Sequence, residues 1–353
     1  MSADKKMAKL KIDFNWPLVG HEKITNFLQQ TIISGNQNHA YLFCGLQGLG
    51  KKTAAELFAS SLMCLGDGQA DGKALPCGKC HCCTQYFKNV HPDIFKLEVA
   101  RNEKTEKLKK NISISQIKEL HDKLSRRSFL NSYKIAIIDE ADLMTLEAAN
   151  SLLKILEEPL GRTVIILIVS KLYRIPLTIA SRCQVINFLP VPRNTIFAYL
   201  EEKKIDRKKA QEISDIAFGR PGIAISLCND AEMLAEYKKG IGEFLKILKS
   251  TVAQKFQMLD SFLNKESDFI STGDFLSQKL DLWQGIVRDL LLLKNSSGGF
   301  IRNSFARTEL ESIADVFKTE KLIDLKKDLE LTRKYIFSNA SPRLSFENFL
   351  IKL

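Results

Sequence analysis

A chain of 353 residues with 45% hydrophobic and 26% charged side chains is too long for one ordinary core and predicts two or three domains of a soluble globular protein. Apolar runs fall short of the roughly 18 residues that span a bilayer. Met1 to Lys6 carries no apolar signal core and repeats are absent, so export is not expected and the cytoplasm is the expected compartment.

The predicted elements alternate. Ile24, Phe27, Leu28 and Ile32 recur at helical spacing until Gly35 and Asn36 stop the helix. Residues 39–44 read as a buried strand ending at Gly45, and Ala54, Leu57, Phe58, Ser61 and Leu62 as the helix after it. A cysteine-rich insertion occupies 64–83. Strands at 94–97, 133–138, 163–169 and 185–188 then alternate with helices at 114–124 and 145–157. This order predicts a parallel sheet with helices on both faces. Pro190 and Pro192 mark a boundary, beyond which two or three short helices surround Gly219–Gly222. From about residue 230, Leu, Ile and Phe recur at helical spacing, broken by Gly298 and Gly299. The expected domains are 1–190, a helical lid at 191–230, and an all-helical region at 231–353.

Between strand and helix, Gly45, Gly48, Gly50, Lys51, Lys52 and Thr53 follow the phosphate-loop spacing. Glycines let backbone N–H groups turn inward around phosphate oxygens, the helix N-terminus adds its partial charge, and Lys51 neutralises the outer phosphates. The residue after the loop lysine normally gives a hydroxyl to magnesium. Here it is Lys52, with Thr53 one place late, so ATP and magnesium stay open as cofactors and hydrolysis is in doubt. Asp139 and Glu140 end an apolar strand, where Asp139 can face a metal and Glu140 can orient the attacking water. Asp139 can equally cap the next helix.

Eight cysteines in an unexported chain point to metal or thiol chemistry before disulfides. Cys77, Cys80 and Cys83 recur at one interval, with Cys64 upstream, a spacing that suits four thiolates on one zinc ion. A redox pair is the alternative, and the third cysteine at the same interval argues against it. His81 and Cys82 are left outside the shell, and Cys44 and Cys228 read as buried structural thiols. Net charge of +11 favours an anionic partner such as nucleic acid, and nine Lys or Arg against four acids within 101–127 form a basic patch. A solvated basic surface would read the same.

The loop at 39–53 (HAYLFCGLQGLGKKT), the cysteine knot, IAIIDEADLM at 135–144, NSLLKILEEP at 150–159 and Ser181-Arg182-Cys183 together resemble the bacterial DNA polymerase III clamp-loader subunits, which are AAA+ proteins. The resemblance covers roughly 15–230, and Leu282 to Lys294 is similar to the helical collar of that group. It implies an α/β AAA+ P-loop domain, a small helical lid and an all-α C-terminal collar. It further implies Ser170 as the sensor position and Arg182 as a finger reaching a neighbour's ATP. Two subunit types compete. Lys52 in the loop, and a glycine of Gly219–Gly222 where the motor's sensor arginine would lie, resemble the delta-prime subunit more than the gamma/tau motor. The implied partners are gamma/tau and delta subunits in a pentameric ring, a sliding clamp and primed DNA, with no membrane. An active gamma/tau-like ATPase using Thr53, and a zinc-bearing DNA-binding module with a vestigial loop, remain as alternatives.

Overall fold

The structure is a computed structural model that describes residues 12–65, 74–99, 111–128, 133–159, 161–263, 269–338 and 340–353. The basic residues Arg101, Lys104, Lys107, Lys109 and Lys110 lie outside the described residues, as does part of the cysteine insertion. The chain forms two compact units, Met1–Thr195 with Gly219–Gly222, and Ile196–Phe218 with Ile223–Leu353.

The first unit is built on five strands, β1 (Ala40–Cys44), β2 (Ile94–Leu97), β3 (Lys134–Ile138), β4 (Thr163–Val169) and β5 (Gln184–Asn187). They pair in the order β2-β3-β4-β1-β5, and every pairing is parallel. Six helices accompany them: α1 (Glu22–Ser34), α2 (Lys51–Met63), α3 (His81–Phe87), α4 (Ile114–Ser125), α5 (Leu146–Glu157) and α6 (Leu177–Ala180).

Successive strand side chains face opposite ways, and each face has its own core. Leu42, Ile138 and Leu167 pack with Leu120 of α4 and Leu152 of α5. Tyr41, Phe43, Ile137 and Ile166 pack with Leu28 of α1 and Phe58 of α2. With both faces covered, β3 and β4 are apolar after their first residues, Lys134 and Thr163, which is why they read as unbroken runs rather than alternating ones. The expected parallel sheet is therefore observed. The insertion differs from expectation in carrying a helix of its own, α3, whose seven residues are too few to display a helical period.

Every regular element of the second unit, among its described residues, is a helix. It takes in most of α7 (Arg193–Glu202), α8 (Arg207–Ala217), most of α9 (Pro221–Asn229), and α10 (Ala231–Lys249), α11 (Val252–Leu263), α12 (Phe269–Lys294), α13 (Arg307–Val316), α14 (Thr319–Phe337) and α15 (Pro342–Lys352). Trp283 of α12 is fully buried, stacked on Phe244 at 4.5 Å and packed by Phe346 and Phe349 at 5.1 and 6.0 Å. No described helix is long and apolar enough to cross a membrane.

Candidate functional site

The phosphate loop, Asp139 and Ser170 all follow the C-terminal ends of strands, β1, β3 and β4 respectively, so the sheet order alone brings them to one rim. In open parallel sheets that rim is where ligands sit. Gly45 turns the chain out of β1 at φ +146°, and a Cβ there would run into the backbone carbonyl of Phe188. The cleft that results holds about 250 Å³ and is lined by loop residues together with Asp139, Glu140, Ser170 and Gly222. Ligand pockets usually begin near about 300 Å³.

The two lysines of the cleft already hold partners within the chain. Lys51 is 5% exposed, and its ammonium donates to the carbonyls of Gly45 and, at 2.7 Å, Leu46, in its own loop. Burial pushes its pKa down, against the pull of Asp139 and Asp142. Lys52 follows on the same helix, where one residue turns a side chain by about 100°, so it diverges from Lys51. Its ammonium donates to Glu98 and lies 3.2 Å from Asp139 Oδ2. Burial alone would lower the Lys52 pKa, but the hydrogen bonds to Glu98 and Asp139 outweigh it and the net shift is upward.

Glu140 sits at φ +51°, and its backbone N–H donates to Asp139 Oδ1 at 3.0 Å. Burial raises its pKa, helped by Asp139, Asp142 and Glu98. Ser170 meets this cluster through its backbone, donating to Asp142 Oδ1 at 3.2 Å. From the lid sequence, Gly222 donates its N–H to Gly48 O at 2.8 Å, and a Cβ on Gly222 would stand 3.0 Å from that oxygen. A side chain as long as arginine has no room to leave the backbone at this point without moving the loop.

Arg182 lies elsewhere, just past α6, with its side chain 37% exposed. Its guanidinium donates to the Thr178 carbonyl at 2.9 Å and to Glu157 Oε1, at the end of α5, at 2.7 Å. In the segment that leads to it, Tyr173 and Leu177 are 81% and 86% exposed. Cys183 turns the other way, into the sheet's core, where burial pushes its thiol up to about 12.

The sulfurs of Cys64, Cys77, Cys80 and Cys83 lie within 4.8 Å of one another. The Cys64–Cys80 and Cys77–Cys83 edges measure 3.9 and 4.0 Å. A tetrahedron with zinc–sulfur bonds of about 2.3 Å has edges of about 3.8 Å, so the four thiols fit that ion. Backbone N–H groups of Cys77, Cys80 and Cys83 each reach a cluster sulfur at 3.4 Å, which suits thiolates. His81 and Cys82 fall outside this group; Cys82 is buried and His81 exposed. Cys44 is buried as expected, whereas Cys228 is only half-buried, because it lies toward the end of α9 rather than inside the sheet.

Sequence reasoning missed Glu98 and Glu157, the carboxylates that hold Lys52 and Arg182. Glu157 lay inside a quoted motif without a role, and Glu98 lay in no motif.

A parallel five-stranded sheet with a phosphate loop after β1 and acidic residues after β3 defines a P-loop nucleotide-binding-type domain. Residues 20–192 match the family described as DNA polymerase III, delta subunit. The DNA polymerase III subunit tau of Bacillus subtilis is 27% identical over 95% of this chain, and the chain spans only 60% of that relative's length. Subunit delta' of Bacillus subtilis is 30% identical over 77% of each chain, and subunit delta' of Pseudomonas aeruginosa is 38% identical over 41% of each. The chain belongs to the bacterial DNA polymerase III clamp-loader subunits of the AAA+ family.

Proposed function

We propose that this chain is a delta-prime-type subunit, a member of the clamp-loader ring that does not itself hydrolyse ATP and that lends Arg182 to ATP held by a neighbouring gamma/tau motor subunit. The ring is pentameric and includes a delta subunit. Its ATP hydrolysis drives loading of a sliding clamp on primed DNA. Cys64, Cys77, Cys80 and Cys83 hold a structural zinc that leaves no open position for catalysis.

The observation that carries this reading is the contrast between the two lysines and the arginine. Lys51 is buried against its own loop and Lys52 pairs with Glu98 and Asp139 at the chain's own cleft, whereas Arg182 lines no part of that cleft and is held, half-exposed, by Glu157 just past α6. Exposed large side chains such as Tyr173 and Leu177 in the segment before it suit a protein interface. Relatives named tau and delta' both align with the chain, so the choice between them rests on Lys52 and Gly222. At the interface Arg182 exchanges the Glu157 carboxylate for a γ-phosphate. Its planar fork of donors then stabilises the charge that develops as the phosphoryl group departs.

The test is reconstitution with motor and delta subunits. Arg182→Ala leaves the ring assembled and slows single-turnover hydrolysis at the adjoining site by about 10³ or more. Unchanged hydrolysis in an intact ring overturns the reading, as does ATP turnover by the isolated chain that Lys51→Ala abolishes.

A further inference from the structure

Magnesium is the ion that a phosphate loop and a strand-end aspartate ordinarily share, and the residues of this cleft do not fit it. Magnesium asks for near-octahedral oxygen ligands at about 2.0–2.1 Å. Two of those oxygens come from the hydroxyl after the loop lysine and from the strand-end carboxylate. Here the first is replaced by an ammonium, and that ammonium sits on the second, 3.2 Å from Asp139 Oδ2.

The surroundings explain why it stays there. Glu98, Asp139, Asp142 and Glu140 crowd this rim, and the first three together with burial hold the Glu140 carboxyl above its usual range. Such a cluster calls for a positive charge. Lys52 supplies it with two carboxylate partners at once, from the ends of β2 and β3, and its amine is a fixed part of the chain. A divalent ion arriving at Asp139 meets a like charge already bound to the oxygen it needs.

We propose that Lys52 is the resident cation of this cleft, that it takes the place of a divalent metal at Asp139, and that it keeps such metals out whether or not a nucleotide is present. The inference concerns the chain's own cleft; it borrows from the reading above only the view that this cleft does not hydrolyse. It stands even if Arg182 proves to have no work in a neighbouring site.

The experiment uses the full zinc-loaded chain and manganese as the probe, followed by water-proton relaxation with and without a non-hydrolysable ATP analogue. Wild type gives relaxation no higher than manganese and analogue alone. Lys52→Thr, and the longer Lys52→Gln as a second variant, give an enhancement of severalfold that disappears when Asp139→Asn is added. Enhancement by wild type that Asp139→Asn removes overturns the proposal. So does a folded Lys52→Thr or Lys52→Gln chain that binds no manganese at Asp139. The wild-type measurement decides even where a variant misfolds. Loss of the Arg182 effect in the assembled ring leaves these outcomes unchanged, so the two ideas fail separately.

Discussion

Arg182 is held by Glu157 at 2.7 Å, with both side chains partly in water. Exposed ion pairs of this kind contribute about 0.2–1 kcal/mol, so the tether is weak enough to be exchanged for a phosphate yet sufficient to set the direction of the guanidinium. Glu157→Gln is therefore expected to leave the melting temperature unchanged and to move the hydrolysis rate of the assembled ring by no more than about fivefold. A loss as deep as that of Arg182→Ala would instead make Glu157 part of the reacting site. Arg182 and Lys52 were legible in the sequence because each occupies a fixed place in a short motif. Their carboxylate partners were not equally legible. Glu98 follows a strand 46 residues after Lys52, and only the sheet order brings the two together.

Among the elements, the cysteine knot shows most directly how local spacing becomes structure. Two intervening residues aim neighbouring sulfurs at one point, and the N-terminus of α3 closes the arrangement with Cys83 in its first turn. A metal bound only by the folded form contributes its binding energy to folding. Cys80→Ser is therefore expected to lose the bound zinc and to open residues 64–87 to proteolysis, measured by metal content and by mapping cleavage sites. Retained zinc together with an uncut insertion would contradict it. The strands were readable for a related reason. A strand covered on both faces is apolar along nearly its whole length, as in Val164 to Val169 of β4, which is buried at every position. α3 was unreadable because seven residues span only about two turns, and its first turn carries the cluster's Cys83 rather than the start of an apolar stripe.

At the scale of the whole chain, each compact unit carries its own hydrophobic core, and the helical one centres on Trp283. Truncating an aromatic side chain in such a place costs about 3–5 kcal/mol. Trp283→Ala is expected to lower thermal stability accordingly, whereas manganese exclusion and zinc content in the first unit stay as in wild type. Trp283→Phe should cost less, since it keeps a ring against Phe244 and removes an indole N–H that has no hydrogen-bond partner among the described residues. Differential scanning calorimetry checks both, and a drop below about 1 kcal/mol for Trp283→Ala would show that the core collapses to refill the space. The helical character of this unit could be read from Leu and Ile periodicity, but not its centre, because a buried tryptophan has no sequence mark that separates it from an exposed one.

The hydrogen bond from Gly222 to Gly48 has a consequence for timing. A loop tied to Gly222 by main chain, with both of its lysines already holding partners inside the chain, is set in shape before any phosphate reaches it. On the reading proposed above, neighbouring motor subunits would work against an edge that needs no fuel of its own to hold its form.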